Sequence, residues 1–204
     1  MIALIDYRAG NLTSVRKALA FIGAKLWTPA APEELADASG VIVPGVGHFG
    51  ATAALDEVWH AAVRGTIAAQ RPLLGICLGM QWLFEGSEEA PTLPGLGVLP
   101  GRCVRLGEQG DSPLFRVKIP HVGWNSLDRR EPSRLLDGGT SGMQAYFTHS
   151  YVVPESTATV ALTTHGVPFP SVVERGLVFG VQFHPEKSAD IGLLVLRNFV
   201  AMCG

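Results

Sequence analysis

Residues 72–85 read PLLGICLGMQWLFE, and the fold turns on how they are read. PLLGI (72–76) is an apolar run of strand length, and LGMQWLFE (78–85) has helix-like composition. Cys77 therefore stands where a strand turns into a helix, with Gly75 two residues before it and Gly79 two after. G-x-C-x-G in a strand–turn–helix context is the pattern of a nucleophile elbow with cysteine in place of serine. Such a turn projects the side chain from a strained backbone, and its flanks crowd each other, so both must be small. The first free N–H groups of the helix favour a thiolate and can receive an oxyanion. The competing reading is a small buried cysteine at a strand end, because short motifs also match by chance. A base within reach would decide between them.

Outward from the elbow, the pattern before it alternates strand and helix. IALI (2–5), KLW (25–27) and GVIV (40–43) read as strands. Asn11 and Thr13 open a helix in which Leu12, Val15, Leu19 and Ile22 recur at helical spacing, and Gly23 stops it. Residues 51–70 have helical composition. This alternation predicts a parallel sheet covered on both faces. After the elbow come strand-like pieces with turn signals between them: LPGLGVLPGRCVRL, FRVKIPHVGWNSL, AYFTHSYVV, ATVALTT and PSVVERGLVFGVQF. They suggest antiparallel hairpins added to the sheet. Helix returns from Ser188 to Met202, with an apolar stripe of Ile191, Leu194, Val195 and Phe199. With no internal repeat and no linker, residues 1–204 are expected to form one mixed α/β domain whose central sheet is mostly parallel.

Composition narrows the function. Apolar residues make up 47% and charged residues 17% of the chain, enough for a sizeable core. A net charge of −2 argues against a sequence-independent grip on nucleic acid. The start, MIALIDYRAG, is interrupted by Asp6 where a signal peptide would be apolar, and no run approaches the length of a membrane span. A cytoplasmic chain with neither nucleic acid nor membrane as partner is expected. Cys77, Cys103 and Cys203 are odd in number and far apart, which disfavours a disulfide framework or a cysteine zinc site.

The base comes near the C-terminus. LVFGVQFHPEKS (177–188) is an apolar strand that ends in His-Pro-Glu, and strand ends of open α/β sheets are where sites form. Pro185 fixes the turn, so Glu186 can fold back and hold one imidazole nitrogen of His184 while the other faces a thiol. The alternative is an ordinary surface or core histidine. His60, in a helical stretch, reads as a surface residue, and His165 beside Gly166 as part of a turn. His121 and His149 lie in PHVGWN and YFTHSY, segments that fit either core or a docking rim. No histidine pair has helical metal-ligand spacing, so neither metal nor cofactor is expected. PGVGHFG (44–50) is a glycine-rich loop that lacks the Walker lysine. It reads instead as a second oxyanion-hole segment, with the N–H of Val46 or Gly47 aimed beside Cys77 and glycines on both sides easing peptide rotation.

Assembled, the chain resembles the class I, or triad, glutamine amidotransferases, which have a flavodoxin-like fold. The G-x-C-x-G elbow, Gln81 four residues on and the H-P-E turn carry the likeness. Within that family, IDYRAGNL, PGVGHFG, GICLGMQWLFEGSEE, PGLGVLPG, IPHVGWN, YFTHSY and FGVQFHPEKS resemble, in order and end to end, the blocks of the glutaminase subunits of imidazole glycerol phosphate synthase. The resemblance implies glutamine hydrolysis by Cys77, His184 and Glu186 through a thioester. It implies an oxyanion hole from Leu78 and the Val46–Gly47 loop, and glutamine held by Gln81, Glu89 and the backbone near His149, Ser150 and Tyr151. It also implies a heterodimer with a (β/α)₈ barrel cyclase that receives ammonia, with Asn11, Trp124, Asn125, Tyr146 and Lys187 at the interface. Arg8 stands where the family usually has glycine, and His48 is assigned no role. Two alternatives are a glutaminase of another synthase, such as vitamin B6 synthase, and a cysteine-elbow stress protein of flavodoxin-like type. The first would carry a G-G-E-S-type loop in place of PGVG; the second would not be expected to carry H-P-E with a following lysine.

Overall fold

The computed structural model describes residues 1–107, 117–140 and 142–204. The first part alternates as the pattern predicts: β1 (Ile2–Leu4), α1 (Leu12–Phe21), β2 (Leu26–Trp27), β3 (Gly40–Val43), α2 (Glu57–Ala68), β4 (Leu73–Ile76) and α3 (Leu78–Trp82). Short strands follow: β5 (Gly86–Ser87), β6 (Arg102–Arg105), β7 (His121–Ser126), β8 (Asp128–Arg129), β9 (Gln144–His149) and β10 (Tyr151–Val152). The chain closes with β11 (Thr159–His165), β12 (Val167–Arg175), β13 (Val178–Val181) and α4 (Ala189–Met202).

The main sheet has the order β2-β1-β3-β4-β13-β12-β11-β8. It is parallel from β2 through β13 and antiparallel beyond, so the added hairpin sits at one edge. Strand alternation sends side chains to two faces. Ile2, Leu4, Ile42, Leu74 and Ile76 pack with Val15 and Leu19 of α1 and with Val195 and Phe199 of α4. Ala3, Ile5, Val41, Val43 and Leu73 pack on the other face with Val63 of α2 and with α3. Leu19 and Phe199 are fully buried, each contributing about 1.5–3 kcal/mol. The remaining strands leave the main sheet: β10-β6-β5 form a small sheet and β7–β9 an antiparallel ribbon.

Local chemistry sets the boundaries. Asn11 caps α1 by accepting from the Ser14 N–H at 3.2 Å. Residues 51–70 are not one helix. Phe49–Ala54 is a 3₁₀ turn, and α2 begins only after Asp56, whose carboxylate accepts from the N–H groups of Val58 and Trp59. That restart sets the helical phase and turns His60 inward. It is 5% exposed and sits edge-on to Trp82 at 5.1 Å, not on the surface as expected. LPGLGVLPGRCVRL is a strand only over Arg102–Arg105, because Pro94 and Pro100 lack the ladder donor and Gly97 and Gly101 take φ of +66° and +93°. Of FRVKIPHVGWNSL, residues 115–116 lie outside the described residues, and the strand starts at His121, after Pro120. Among the described residues no helix is long and apolar enough to cross a membrane.

Candidate active site

Cys77 stands at the head of α3 with φ +52° and ψ −106°, a conformation that costs a residue bearing a Cβ about 1–3 kcal/mol. The turn is tied at both ends. The Cys77 N–H donates to the Val181 carbonyl at 2.7 Å, and the Gln81 N–H donates to the Cys77 carbonyl at 3.1 Å. A Cβ on Gly75 would lie 2.6 Å from the Gly79 carbonyl oxygen, the expected crowding across the turn. A Cβ on Gly79 would instead meet the Val43 carbonyl oxygen at 1.8 Å, so β3 dictates that glycine. Because α3 has only five residues, it acts through its free N–H groups rather than a long macrodipole.

His184 reaches the elbow through the sheet. β13 pairs parallel with β4, placing Val181 opposite Ile76, so both chains leave the sheet side by side. The His184 N–H donates to the Tyr146 carbonyl at 2.9 Å, and the Pro185–Lys187 turn brings Glu186 back. The imidazole Nδ1 then donates to Glu186 Oε1 at 2.9 Å, with both side chains buried. Nε2 completes no hydrogen bond among the described residues, and the Cys77 sulfur acts electrostatically on the ring. Burial alone lowers the His184 pKa; the Cys77 sulfur and the Glu186 carboxylate outweigh it and raise it to about 10.

A pocket of about 230 Å³ opens above the sulfur. It is lined by Val46, Gly47, Cys77, Leu78, Gln81, Glu89, Pro120, Thr148, His149, Ser150 and Tyr151. The residues expected to hold glutamine and its oxyanion thus converge on one cavity, and Pro120 and Thr148 join them. Gly45 lets the PGVG loop approach, since a Cβ there would lie 2.1 Å from the Tyr7 hydroxyl and 2.8 Å from Leu78 Cβ. Gly47 has φ +102°. Glu89 Oε2 accepts from the Phe49 N–H at 2.7 Å, which pins the far end of the loop.

His149 is part of the pocket wall; its Nε2 lies 3.0 Å from Nδ1 of His121 behind it, and the His121 ring stacks on His165 at 4.2 Å. Both His121 and His149 are buried. Burial, reinforced by neighbouring imidazoles, lowers His149 to about 3 and His121 to about 4. His121 is a core residue and His149 also lines the pocket, and burial favours the neutral form of both rings.

The family model of glutamine amidotransferase class-I matches residues 3–203. The chain belongs to the class I glutamine amidotransferases. Among curated members of the family, one from Desulfitobacterium hafniense (strain DSM 10664 / DCB-2) is 47% identical over 98% of this chain and 93% of its own length. One from Bacillus subtilis (strain 168) is 45% identical over 99% of this chain and 96% of its own length. Both are named imidazole glycerol phosphate synthase subunit HisH. The crystal structure of a glutamine amidotransferase superposes with a TM-score of 0.75 at 22% identity, covering 100% of both chains. PurLQS from Thermotoga maritima superposes with a TM-score of 0.73 at 19% identity, covering 98% of this chain and 97% of its own. At these identities the structures speak for the shared amidotransferase fold alone.

The amidotransferase presents a second group of the expected residues on one outer face. Trp124 and Tyr146 are opposite in the β7–β9 register, their rings edge-to-face at 6.1 Å. Lys187 Nζ lies 5.7 Å from the centre of the Tyr146 ring. Trp124 and Val122 are more than half exposed, at 52% and 57%. Asn125 points the other way: its amide reaches His121 and the Thr164 carbonyl. Asn11 is exposed at the head of α1. Arg8 has φ +61°, which explains why glycine suits that position. Sequence reasoning missed Gln182, whose side chain contacts both Cys77 and Gln81. The available signal was a fully buried amide between Val181 and Phe183, which needs polar partners.

Proposed function

We propose that this chain is the glutaminase subunit of an imidazole glycerol phosphate synthase. The observation that carries the chemistry is the Cys77 sulfur at the floor of the pocket with the Glu186-oriented His184 imidazole beside it. The 47% identity to a curated HisH over nearly the whole chain supports the synthase.

Cys77 Sγ attacks the side-chain amide carbon of glutamine. His184, its basicity raised by Glu186 and the sulfur, takes the thiol proton at Nε2 and delivers it to the leaving nitrogen as ammonia departs. The developing oxyanion is received by the Leu78 N–H and the Val46–Gly47 loop, where fixed donors cost no reorganisation. Water, deprotonated by His184, then attacks the thioester and frees glutamate. Gln81, Glu89 and the backbone of His149, Ser150 and Tyr151 hold the substrate's α-amino and α-carboxyl groups. Ammonia passes to a (β/α)₈ cyclase subunit docked on the face of Trp124, Tyr146 and Lys187, with Asn11 at its edge and Asn125 supporting it. Protonation in bulk water would destroy its nucleophilicity, which favours direct transfer. The pair works in the cytoplasm.

The test is glutamate release from glutamine by the chain alone, with the cyclase subunit, and with that subunit plus its ribotide ligand. Low activity alone and a large rise with partner and ligand are expected, and Cys77→Ala should abolish turnover while leaving assembly intact. Turnover that persists in Cys77→Ala would end the nucleophile assignment. Activity indifferent to the partner would keep the glutaminase and remove the synthase.

A further inference from the structure

That mechanism leaves Gln182 without a role. It is fully buried just beyond β13, where an amide must find its hydrogen bonds inside the protein. Its Nε2 lies 3.6 Å from Cys77 Sγ, and its Oε1 lies 3.2 Å from Gln81 Nε2. An amide's two ends are nearly the same shape, so their assignment rests on the neighbours. The Tyr151 carbonyl can only accept. Gln81 must therefore present its –NH₂ there, at 3.0 Å. The second hydrogen of that nitrogen points at Gln182, which must answer with its oxygen. The –NH₂ of Gln182 is left facing the sulfur.

The same carbonyl is read consistently from its other side. His149 Nδ1 donates to it at 3.0 Å, so the neutral His149 ring accepts at Nε2 from His121 Nδ1. His121 Nε2 in turn accepts from Asn125 Nδ2 at 3.2 Å, and the other hydrogen of that amide goes to the Thr164 carbonyl at 2.9 Å. Two backbone carbonyls, which cannot flip, thus orient every side chain between Thr164 and Cys77.

We propose that Gln182 is a further catalytic residue: its amide donates to the Cys77 sulfur, and Gln81 holds that amide in orientation. The proposal rests on Cys77 as the nucleophile. When the thiol proton moves to His184, negative charge gathers on sulfur, and a fixed N–H beside it in a buried site stabilises that charge. Gln81 then has a double duty. Both its amide hydrogens are spent on Tyr151 and Gln182, which leaves only its oxygen to meet a ligand.

The experiment compares wild type with Gln182→Met and Gln182→Glu, each checked by thermal melting. Alkylation of Cys77 by iodoacetamide is followed by peptide mass, beside steady-state glutaminase kinetics with the cyclase partner. Losing a donor to a charged group is worth roughly ten- to a hundredfold in rate. Both variants are expected to lose about that factor in kcat with little change in KM, and to alkylate about tenfold more slowly. Gln182→Glu keeps the side-chain shape but places an acceptor at the sulfur, so it reads the interaction if Gln182→Met does not fold. Gln81→Met, which leaves the donor but not its anchor, should slow alkylation by a smaller factor. Folded Gln182 variants with alkylation and kcat within about twofold of wild type would overturn the proposal. Alkylation needs no glutamine. A wild type that shows the Gln182-dependent reactivity but hydrolyses no glutamine would therefore sink the amidotransferase mechanism and leave the Gln182 assignment standing.

Discussion

Lowering the pH from 7 to 5 should weaken this protein through His121 and His149. Burial first, then neighbouring imidazoles, hold them at about 4 and about 3, whereas both return to about 6.5 in the unfolded chain. Below that value the unfolded chain binds protons that the folded chain refuses. Their contribution is therefore intact above pH 6.5 and lost as the pH falls below it. At pH 5 each histidine costs about 2 kcal/mol, or about 4 kcal/mol together, a large share of a typical stability of about 5–15 kcal/mol. His184 has the opposite sign: its raised pKa stabilises below 6.5 and ceases to do so as the pH rises through about 10, so it does not mimic the effect. Urea unfolding of wild type and His121→Asn at both pH values checks this. The variant will be weaker at pH 7, but it should lose about 2 kcal/mol less on acidification. Parallel losses in the two proteins would refute the assignment of neutral, buried rings.

Arg8→Gly should raise stability. Relief of the left-handed conformation is worth about 1–2 kcal/mol against about 0.5–1 kcal/mol of added chain entropy, so a melting temperature unchanged or lower would count against strain at φ +61°. Trp124→Ala and Lys187→Ala should each leave melting within about 1 kcal/mol of wild type, since both lie at the surface, yet weaken cyclase binding by roughly tenfold or more. Unchanged affinity in an equilibrium binding assay would move the interface elsewhere.

The parallel half of the sheet was legible because each of its strands is an apolar run bounded by a turn signal, and the elbow because Gly75 and Gly79 frame Cys77. His184 and Glu186 could be paired on paper because only a proline separates them. His60 could not be placed, since its direction depends on where α2 restarts, and that is set by the Asp56 cap rather than by hydrophobic period. The small sheets were blurred because proline and positive-φ glycines cut β-rich sequence into pieces of two to four residues. Gln182 stayed hidden because its partners come from α3 and the elbow, far away along the chain.

Strand β9 has two duties along its length. Tyr146 turns toward the aromatic outer face, while Thr148 and His149 wall the pocket. An engineer who exchanged the β7–β9 ribbon to redirect the protein to a new partner would, by the same cut, replace part of the substrate chamber. Retargeting and retained turnover must therefore be selected together, because the two duties share one six-residue strand.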